Sequence, residues 1–490
     1  MTREGSQPLI KKAIFTLILM PLIVLLMEIS LRATGWGLPT GGTLVGWNPV
    51  GLPLYECKKS GDAKICKTSR YYISSAVTTS FLMPKPEGTV RIFCTGGSTT
   101  AGYPFFKPIA FAKLLSVALS ATDPYNNYEV INAGIPGASS YETAETVRHL
   151  MDYNPDWIVV YNGNNEYLVQ ESVNVGSMSG IGKSVRKHAN RLRLYKLIVS
   201  ARLRLSGSYG DVKPLKDTDT IVDMSESFQK RVMETSPTNE QREMIRGFYA
   251  DNLGYIAKLA RGGRAGLMLS TVPVNVLDYP PYEPELAIQK AEGCSYIDKS
   301  QACEQAELSG GAIKSYLSGC CDFKQGRKNV ALTSLNQAIE TDPLPNRATP
   351  SMNAIIREME DVPGVHVVDV EAVFASVSGG IPGDGLFLDP HHPAIEGQSL
   401  IALALVRKLV DSGAVNPSPG WNERVGEAID RYLSMLPAEQ ISRAYYTDAS
   451  QNAGTGHIKR AIRLCNRALL LDPENDNAKA LLDSLKDLER

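Results

Sequence analysis

The chain contains 490 residues, with 51 lysines and arginines against 52 acidic residues and a formal net charge of -1 at pH 7. Hydrophobic residues make up 43% and charged residues 21%, which is an ordinary globular composition. The length exceeds what one hydrophobic core usually organises, so we expect several domains. The chain lacks the basic excess typical of nucleic-acid-binding proteins, so nucleic acid is not an expected partner.

The N-terminal segment carries a membrane signal. Residues 13–27 form an uncharged apolar run that Lys11 and Lys12 precede. Its length falls between a signal-peptide core and a full membrane span, but residues 27–32 offer no small-x-small cleavage site. We therefore predict an uncleaved single-pass anchor in residues 1–35, with a cytoplasmic N-terminus and an extracytoplasmic body, periplasmic in a Gram-negative cell. The alternative of a buried soluble helix fits the basic flank poorly.

The eight cysteines indicate an oxidising exterior. Cys57 and Cys66 lie in a linker, residues 36–87, at a spacing that permits a local disulfide. Four more cluster in a polar insertion: Cys294, Cys303, Cys320 and Cys321. Zinc is the rival interpretation, but these four contain no C-x-x-C pair and no histidine lies among them. We predict that they form disulfides in one of three pairings, with different partners for the two adjacent residues, and that Cys94 and Cys465 are buried thiols.

Beyond residue 88 the chain alternates between strand and helix patterns. Predicted strands include the apolar run before Ser98 and residues 129–132, 157–161, 266–272 and 365–369; predicted helices include 108–121, 139–153, 238–261 and one after Gly397. The pair Ser139 and Glu142 is typical of a capping box. This alternation predicts an α/β fold with a mostly parallel sheet flanked by helices, in which sites gather at the carboxyl ends of the strands.

A short apolar run breaks into paired glycines and then presents Ser98, in the sequence Arg-Ile-Phe-Cys-Thr-Gly-Gly-Ser. A serine becomes a nucleophile only with a base beside it and with donors for the oxyanion. Gly134 and Asn165 are candidate donors, and both follow later predicted strands. Asp389 and His392 supply an acid and a base three residues apart. Because the donors and the serine all follow strand ends, we expect the sheet to bring them together.

These blocks occur in the chain order of the SGNH or GDSL-type serine esterases, and the chain resembles that family over residues 88–170 and 245–412. The resemblance implies an SGNH hydrolase-like fold with flavodoxin-like layering. It also implies a set of site residues: Ser98 as nucleophile, His392 as base, Asp389 as the orienting acid, and Ser98, Gly134 and Asn165 as the oxyanion hole.

Two departures from the family pattern leave the substrate class open. Gly97 stands where the family has an aspartate before the serine, and Glu166 stands where the third block has an aspartate. Two rivals for the site roles also remain: His391 competes with His392 for the base, and Asp384 is a second candidate for the orienting acid.

The predicted catalytic domain, residues 88–415, is interrupted twice. The insertion at 171–237 contains a basic stretch, 183–204, that predicts an amphipathic helix. This helix would lie against anionic headgroups or bind an acidic substrate, or it would be a solvated helix that caps the core. The insertion at 285–348 and the C-terminal residues 416–490 carry small residues and a proline at spacings of tetratricopeptide repeats. These helices are interpreted either as a docking surface for a protein partner or as a helical buttress.

The sequence therefore predicts a membrane-anchored, extracytoplasmic serine esterase that acts on acyl or acetyl esters of a glycan or lipid, without a cofactor or metal. One alternative is an O-acyltransferase of a cell-envelope or exported glycan that uses the same acyl-enzyme. Another is a non-catalytic binding or assembly protein whose pocket holds a ligand. The expected partners are the ester substrate, the membrane and a protein at the repeat-like helices.

Overall fold

The computed structural model describes residues 19–31, 43–45, 48–50, 54–69, 79–167, 194, 237–282 and 293–489. The chain divides into two units, one of residues 1–53 and 177–214 and the other of residues 54–176 and 215–490. The domain boundaries inferred from the sequence stay predictions.

In the smaller unit, residues 19–31 are helical, and strands β1 (Thr43–Val45) and β2 (Asn48–Val50) pair antiparallel. Within the described ranges, no helix combines the length and the apolar character needed to cross a membrane. Residues 13–18 of the predicted anchor lie outside these ranges, as does the basic stretch 183–204 apart from residue 194. The anchor and the basic helix therefore stay predictions.

The larger unit begins with a small antiparallel sheet in the order β3 (Tyr55–Ser60), β4 (Ala63–Thr68), β5 (Ser80–Met83). The predicted disulfide between Cys57 and Cys66 is present and joins paired residues of β3 and β4. Tyr55 and Phe81 pack edge to face, with ring centroids 4.9 Å apart, and both contact Phe93 of the next strand. These rings bury the face of the small sheet against the main core.

The main sheet has five parallel strands: β6 (Thr89–Gly96), β7 (Asn127–Gly134), β8 (Trp157–Tyr161), β9 (Gly266–Ser270) and β10 (Val365–Val368). Their order is β7-β6-β8-β9-β10, and every neighbouring pair is parallel. Phe93, Ile158 and Leu267 are fully buried, as expected for strands covered on both faces. The order is the flavodoxin-like 2-1-3-4-5 arrangement, whose crevice opens between the first and third strands, here β6 and β8. The predicted α/β class and layering are confirmed.

In the larger unit, the first helix is a single turn, α1 (Ser98–Ala101), directly after β6. The others are α2 (Phe111–Thr122), α3 (Ser140–Leu150), α4 (Asn239–Gly262), α5 (Lys299–Leu308), α6 (Gly311–Lys324), α7 (Lys328–Glu340), α8 (Pro350–Glu358), α9 (Val370–Val377), α10 (Ile395–Asp411), α11 (Trp421–Ser434), α12 (Ala438–Gly454), α13 (Ile458–Leu471) and α14 (Asp476–Glu489). The predicted capping box of Ser139 and Glu142 opens α3, and another, of Thr238 and Gln241, opens α4.

The cysteine-containing insertion folds into α5, α6 and α7. Two disulfides hold it together, Cys294 to Cys320 and Cys303 to Cys321. The prediction that the adjacent cysteines have different partners is therefore confirmed. Cys94 and Cys465 are free and buried, as predicted.

In the insertion at 285–348, the small residues at the spacing of a tetratricopeptide repeat are Gly319, Ala331 and Ala338, and they lie where two helices approach each other. At Gly319, α6 runs so close to α7 that a Cβ would lie 2.7 Å from Leu335 Cγ. Ala331 and Ala338 of α7 are also fully buried. The residues form a tight helix pair, and their assignment to the tetratricopeptide repeat stays an interpretation.

The C-terminal helices share an apolar cluster with the segments that flank the candidate site. Phe105 and Ile109, just beyond α1, lie in this cluster with Leu388 and with Tyr445 of α12. The Phe105 and Tyr445 rings pack edge to face at 5.2 Å. This packing favours the buttress interpretation, because these helices bury the apolar face that they could not bury alone.

Two leucines of α13 test whether this packing stabilises the protein. Leu464 is 1% exposed in the cluster, whereas Leu470 is 81% exposed. We expect Leu464→Ala to lower the free energy of unfolding by about 2–5 kcal/mol, because it opens a cavity. Leu470→Ala should change it by less than about 0.5 kcal/mol. Urea denaturation measures both, and equal effects would contradict the packing of α13.

Candidate active site

Paired glycines place Ser98 at the crevice between β6 and β8. Gly96 ends β6 with φ 150°, and a Cβ there would lie 1.9 Å from the backbone oxygen of Tyr161. A Cβ on Gly97 would lie 2.7 Å from Asn165 Nδ2. Only glycine permits the approach at position 96, where the neighbouring atom belongs to the backbone. The departure at position 97 therefore has a steric reason, since any side chain would displace the asparagine amide.

The structure brings Ser98, His392 and Asp389 into one hydrogen-bonded chain. Ser98 Oγ lies 2.7 Å from His392 Nε2. On the other side of the ring, His392 Nδ1 bonds Asp389 Oδ2. An Nδ1–H that donates to the carboxylate leaves Nε2 free to accept the serine proton. The three residues, predicted from two separate segments, therefore have the geometry of a nucleophile, a base and an orienting acid.

Asp389 is held as an anion by its surroundings. Burial alone would raise the pKa of its carboxyl group, but the charge and hydrogen bond of His392 outweigh burial and hold that pKa well below its usual range. Oδ1 also accepts hydrogen bonds from the backbone N–H of His391, at 2.9 Å, and of His392, at 2.7 Å. The short turn thus fixes the carboxylate while Oδ2 addresses the imidazole.

His391 and Asp384 do not take the site roles for which they competed. The ring of His391 packs on that of His392 with centroids 4.1 Å apart, and burial lowers the pKa of His391 to about 3, with a further contribution from His392. Asp384 accepts hydrogen bonds from Arg460 Nε, at 3.0 and 3.1 Å, and from Asn275 Nδ2, at 2.7 Å. The hydrogen bonds therefore place His392, and not His391, between Ser98 and Asp389.

Asn165 lies beside Gly97, the residue that precedes Ser98. It is 5% exposed, and its Nδ2 donates to the backbone oxygen of Ala138 at 3.0 Å. An amide nitrogen carries two hydrogens, so one remains for an oxyanion. The backbone N–H of Ser98 lies in the first turn of α1, where N–H groups have no intrahelical acceptor.

The structure corrects the prediction for Gly134. Its backbone N–H donates to Asn132 Oδ1 at 2.9 Å, so it is already used. A Cβ on Gly134 would lie 2.4 Å from the backbone nitrogen of Ala101, so the glycine is needed for close packing of β7 against α1. Its role is steric.

Gly137 is a candidate donor that the sequence patterns did not single out. The N–H of Ala138 donates to Ile135 O at 3.0 Å, and Gly137 has φ 75°, so residues 135–138 have the features of a type II turn with Pro136 in its second position. In the described part of the chain, the Gly137 N–H has no acceptor. The turn also bonds Asn165 through Ala138. The Pro-Gly pair was the sequence signal that could have identified it.

Glu166, the other departure, has a structural role. Its carboxylate accepts hydrogen bonds from Ser140 N and Ser140 Oγ, both at 2.7 Å, and so ties the loop after β8 to the start of α3. Burial raises the pKa of Glu166 to about 7, against the opposing effect of these hydrogen bonds. Among the described residues, the hydrogen bonds of Glu166 go to Ser140, and none goes to Ser98 or His392.

Asp389, His391 and His392 also present three ligand atoms within 4.8 Å of one another, a spacing that could hold a metal ion. Asp389 and His392 are already hydrogen-bonded to each other, and His392 is also hydrogen-bonded to Ser98. The cluster is thus accounted for by the hydrogen-bonded chain.

No family model and no curated protein matches the chain. A catalytic mutant of an acetylxylan esterase from Geobacillus stearothermophilus is similar at 13% identity and a TM-score of 0.31, covering 65% of this chain and 94% of that one. A GDSL-like lipase from Bacteroides thetaiotaomicron is similar at 11% identity and a TM-score of 0.30, covering 66% and 88%. An alpha/beta hydrolase from the metagenome of Lake Arreo, Spain, is similar at 13% identity and a TM-score of 0.32, covering 67% and 96%. Because these identities and TM-scores are low, the function of this chain is argued from its own fold and site.

The buried neutral state of His391 predicts a loss of stability in acid. Its folded-state pKa of about 3 lies below the unfolded value of about 6.5, so between these values the unfolded state binds more protons. Stability then falls as the pH falls, by up to about 1.4 kcal/mol per pH unit from this residue. His391→Gln should remove this slope. Urea denaturation of both proteins at several pH values from about 4 to 7 measures it, and parallel curves would contradict it.

Proposed function

We propose that this chain is a serine esterase that hydrolyses acyl or acetyl esters through Ser98. The observation that carries the proposal is the 2.7 Å contact of Ser98 Oγ with His392 Nε2, with Asp389 bonded to the opposite ring nitrogen. Ser98 Oγ attacks the ester carbonyl as its proton passes to Nε2, and the same proton then goes to the leaving alcohol. Water repeats the sequence on the acyl-enzyme and releases the acid. Asp389 holds the imidazole in the required tautomer and stabilises its cation.

The oxyanion of each tetrahedral intermediate needs donors that are already in place. We propose the backbone N–H of Ser98, the backbone N–H of Gly137 and the remaining N–H of Asn165. The support is that Asn165 lies against Gly97 and that the turn carrying Gly137 is bonded to the same amide.

We further propose that the enzyme is membrane-anchored and extracytoplasmic, with a glycan or lipid ester as substrate. The three disulfides support an oxidising compartment. The apolar run after Lys11 and Lys12 supports an anchor with its N-terminus in the cytoplasm. The proposed compartment and the proposed anchor do not depend on the proposed ester hydrolysis.

Removing the nucleophile or the base should abolish activity. We expect Ser98→Ala and His392→Ala each to lower kcat on 4-nitrophenyl acetate by at least about 10,000-fold, and the double variant to be little worse, because the residues act as one unit. Ser120→Ala, an exposed serine of α2, is the matched control and should keep the wild-type rate. A Ser98→Ala protein with wild-type turnover would eliminate the nucleophile assignment.

Removing the asparagine donor should affect the transition state more than substrate binding. We expect Asn165→Ala to lower kcat by about 100- to 1000-fold with a smaller change in KM, because charge on the oxygen develops only as the reaction proceeds. Asn127→Ala, at the exposed start of β7, is the control. Steady-state kinetics at a fixed pH measure both parameters. A change confined to KM would assign Asn165 to substrate binding instead.

A further inference from the structure

Arg347 is a fully buried cation with half of its guanidinium unused. Its side chain is 0% exposed, and Nη1 donates to the backbone oxygen of Asn275 at 2.6 Å. Within the described residues, Nε and Nη2 have no hydrogen-bond partner. The nearest carboxylate oxygen, Oδ2 of Asp342, lies 3.9 Å from Nη2, which is too long for a hydrogen bond.

Arg91 shows what a structural buried arginine looks like in the same protein. It is also 0% exposed, but Nε donates to Glu129, Nη1 to the backbone oxygen of Tyr153 and Nη2 to that of Leu82. Leaving a buried charged donor without an acceptor is costly. The difference between the two arginines therefore points to a ligand at Arg347 and not at Arg91.

A second guanidinium lies against the same aromatic ring. Arg460, from α13, packs 5.0 Å from the ring centroid of Tyr279, and Arg347 packs 5.4 Å from it. Arg460 is 2% exposed; its Nε is bound by Asp384, and its Nη1 has no partner among the described residues. Tyr279 is partly exposed, and both guanidiniums lie against its ring.

This cluster is tied directly to the catalytic segments. Asn275, whose backbone oxygen binds Arg347, donates from its own N–H to Pro390 O at 2.9 Å and from Nδ2 to Asp389 O at 3.3 Å. On the other side, the N–H of Ala348 donates to Asn164 Oδ1 at 3.0 Å. Arg347 thus lies between the loop that carries His392 and the loop that carries Asn165.

We propose that Arg347, assisted by Arg460, binds a carboxylate of the ester substrate beside the catalytic serine; this rests on the esterase function proposed above. The unused Nε and Nη2 form one edge of a planar guanidinium, the geometry that matches a carboxylate with two parallel hydrogen bonds. Asp384 is hydrogen-bonded to Arg460, whereas Asp342 forms a 3.9 Å ion pair with Arg347 that leaves Nε and Nη2 without a hydrogen bond. The substrate carboxylate comes either from an acidic sugar in the alcohol part or from a dicarboxylic acyl group.

Two matched substrate pairs distinguish these sources. Acetylated galacturonic acid is compared with acetylated galactose, and 4-nitrophenyl hydrogen glutarate is compared with 4-nitrophenyl pentanoate. We expect wild-type protein to prefer the charged member of one pair by about 10- to 100-fold in kcat/KM, as a charged hydrogen-bonded pair contributes. The preferred pair identifies the part of the substrate that carries the carboxylate. No preference in either pair overturns the proposal.

Variants of Arg347 test whether its buried guanidinium edge causes the preference for the charged substrate. Arg347→Gln should remove it, and Arg347→Lys, which keeps the charge but loses the fork, should leave only a small part of it. The matched control is Arg357→Gln, a partly exposed arginine that pairs with Asp369 and Glu371. The control should keep the wild-type preference. Retention of the full preference in a folded Arg347→Lys protein would contradict the role of the fork.

A binding measurement separates this proposal from the esterase proposal. Calorimetric titration of galacturonate and of glutarate into Ser98→Ala protein needs no turnover. Saturable binding that Arg347→Lys weakens supports the carboxylate site even if no ester is hydrolysed. Absence of saturable binding for both anions overturns it even if neutral esters are hydrolysed.

Discussion

The site depends on the close approach of three backbones at the carboxyl ends of β6, β7 and β8. A Cβ would lie 1.9 Å from a neighbouring atom at Gly96, 2.7 Å at Gly97 and 2.4 Å at Gly134. Because these positions lack side chains, α1 can start directly after β6 and the Asn165 amide can lie against the strand end. Parallel strands in the flavodoxin-like order leave a crevice at this edge, and Ser98 faces it.

Strand periodicity predicted most of the sheet, since buried parallel strands are continuous apolar runs that end in turn residues. It could not decide whether Gly134, the last residue of β7, or Gly137 has an N–H free for an oxyanion. That choice depends on whether a side chain already occupies the N–H, and Asn132 occupies that of Gly134 through a local bond two residues away. Gly137, three residues later, lies in a turn closed by the Ala138 N–H, and its own N–H has no acceptor among the described residues.

The choice between adjacent histidines is also made by surroundings that the sequence only partly encodes. The spacing of Asp389 and His392 predicted their pairing correctly, because a carboxylate can bind both the backbone and the ring of the residue three positions later. The sequence did not reveal that His391 would be buried, with the pKa of its imidazole lowered by that burial. Burial therefore keeps the His391 imidazole neutral, whereas the bond to Asp389 orients the imidazole of His392.

The helical additions belong to the chemistry of the site as well as to its stability. Arg347 lies just beyond α7, and Arg460 is on α13. Both guanidiniums lie against Tyr279, which follows β9 and precedes the cysteine-containing helices. A cation fully removed from water must be compensated by a charge or by acceptors, and the fold supplies these completely at Arg91 but not at Arg347. The fold therefore leaves an unpaired guanidinium edge at Arg347 that a substrate anion would pair. In the proposed site, the segment after α7 and helix α13 together would select esters that carry a carboxylate.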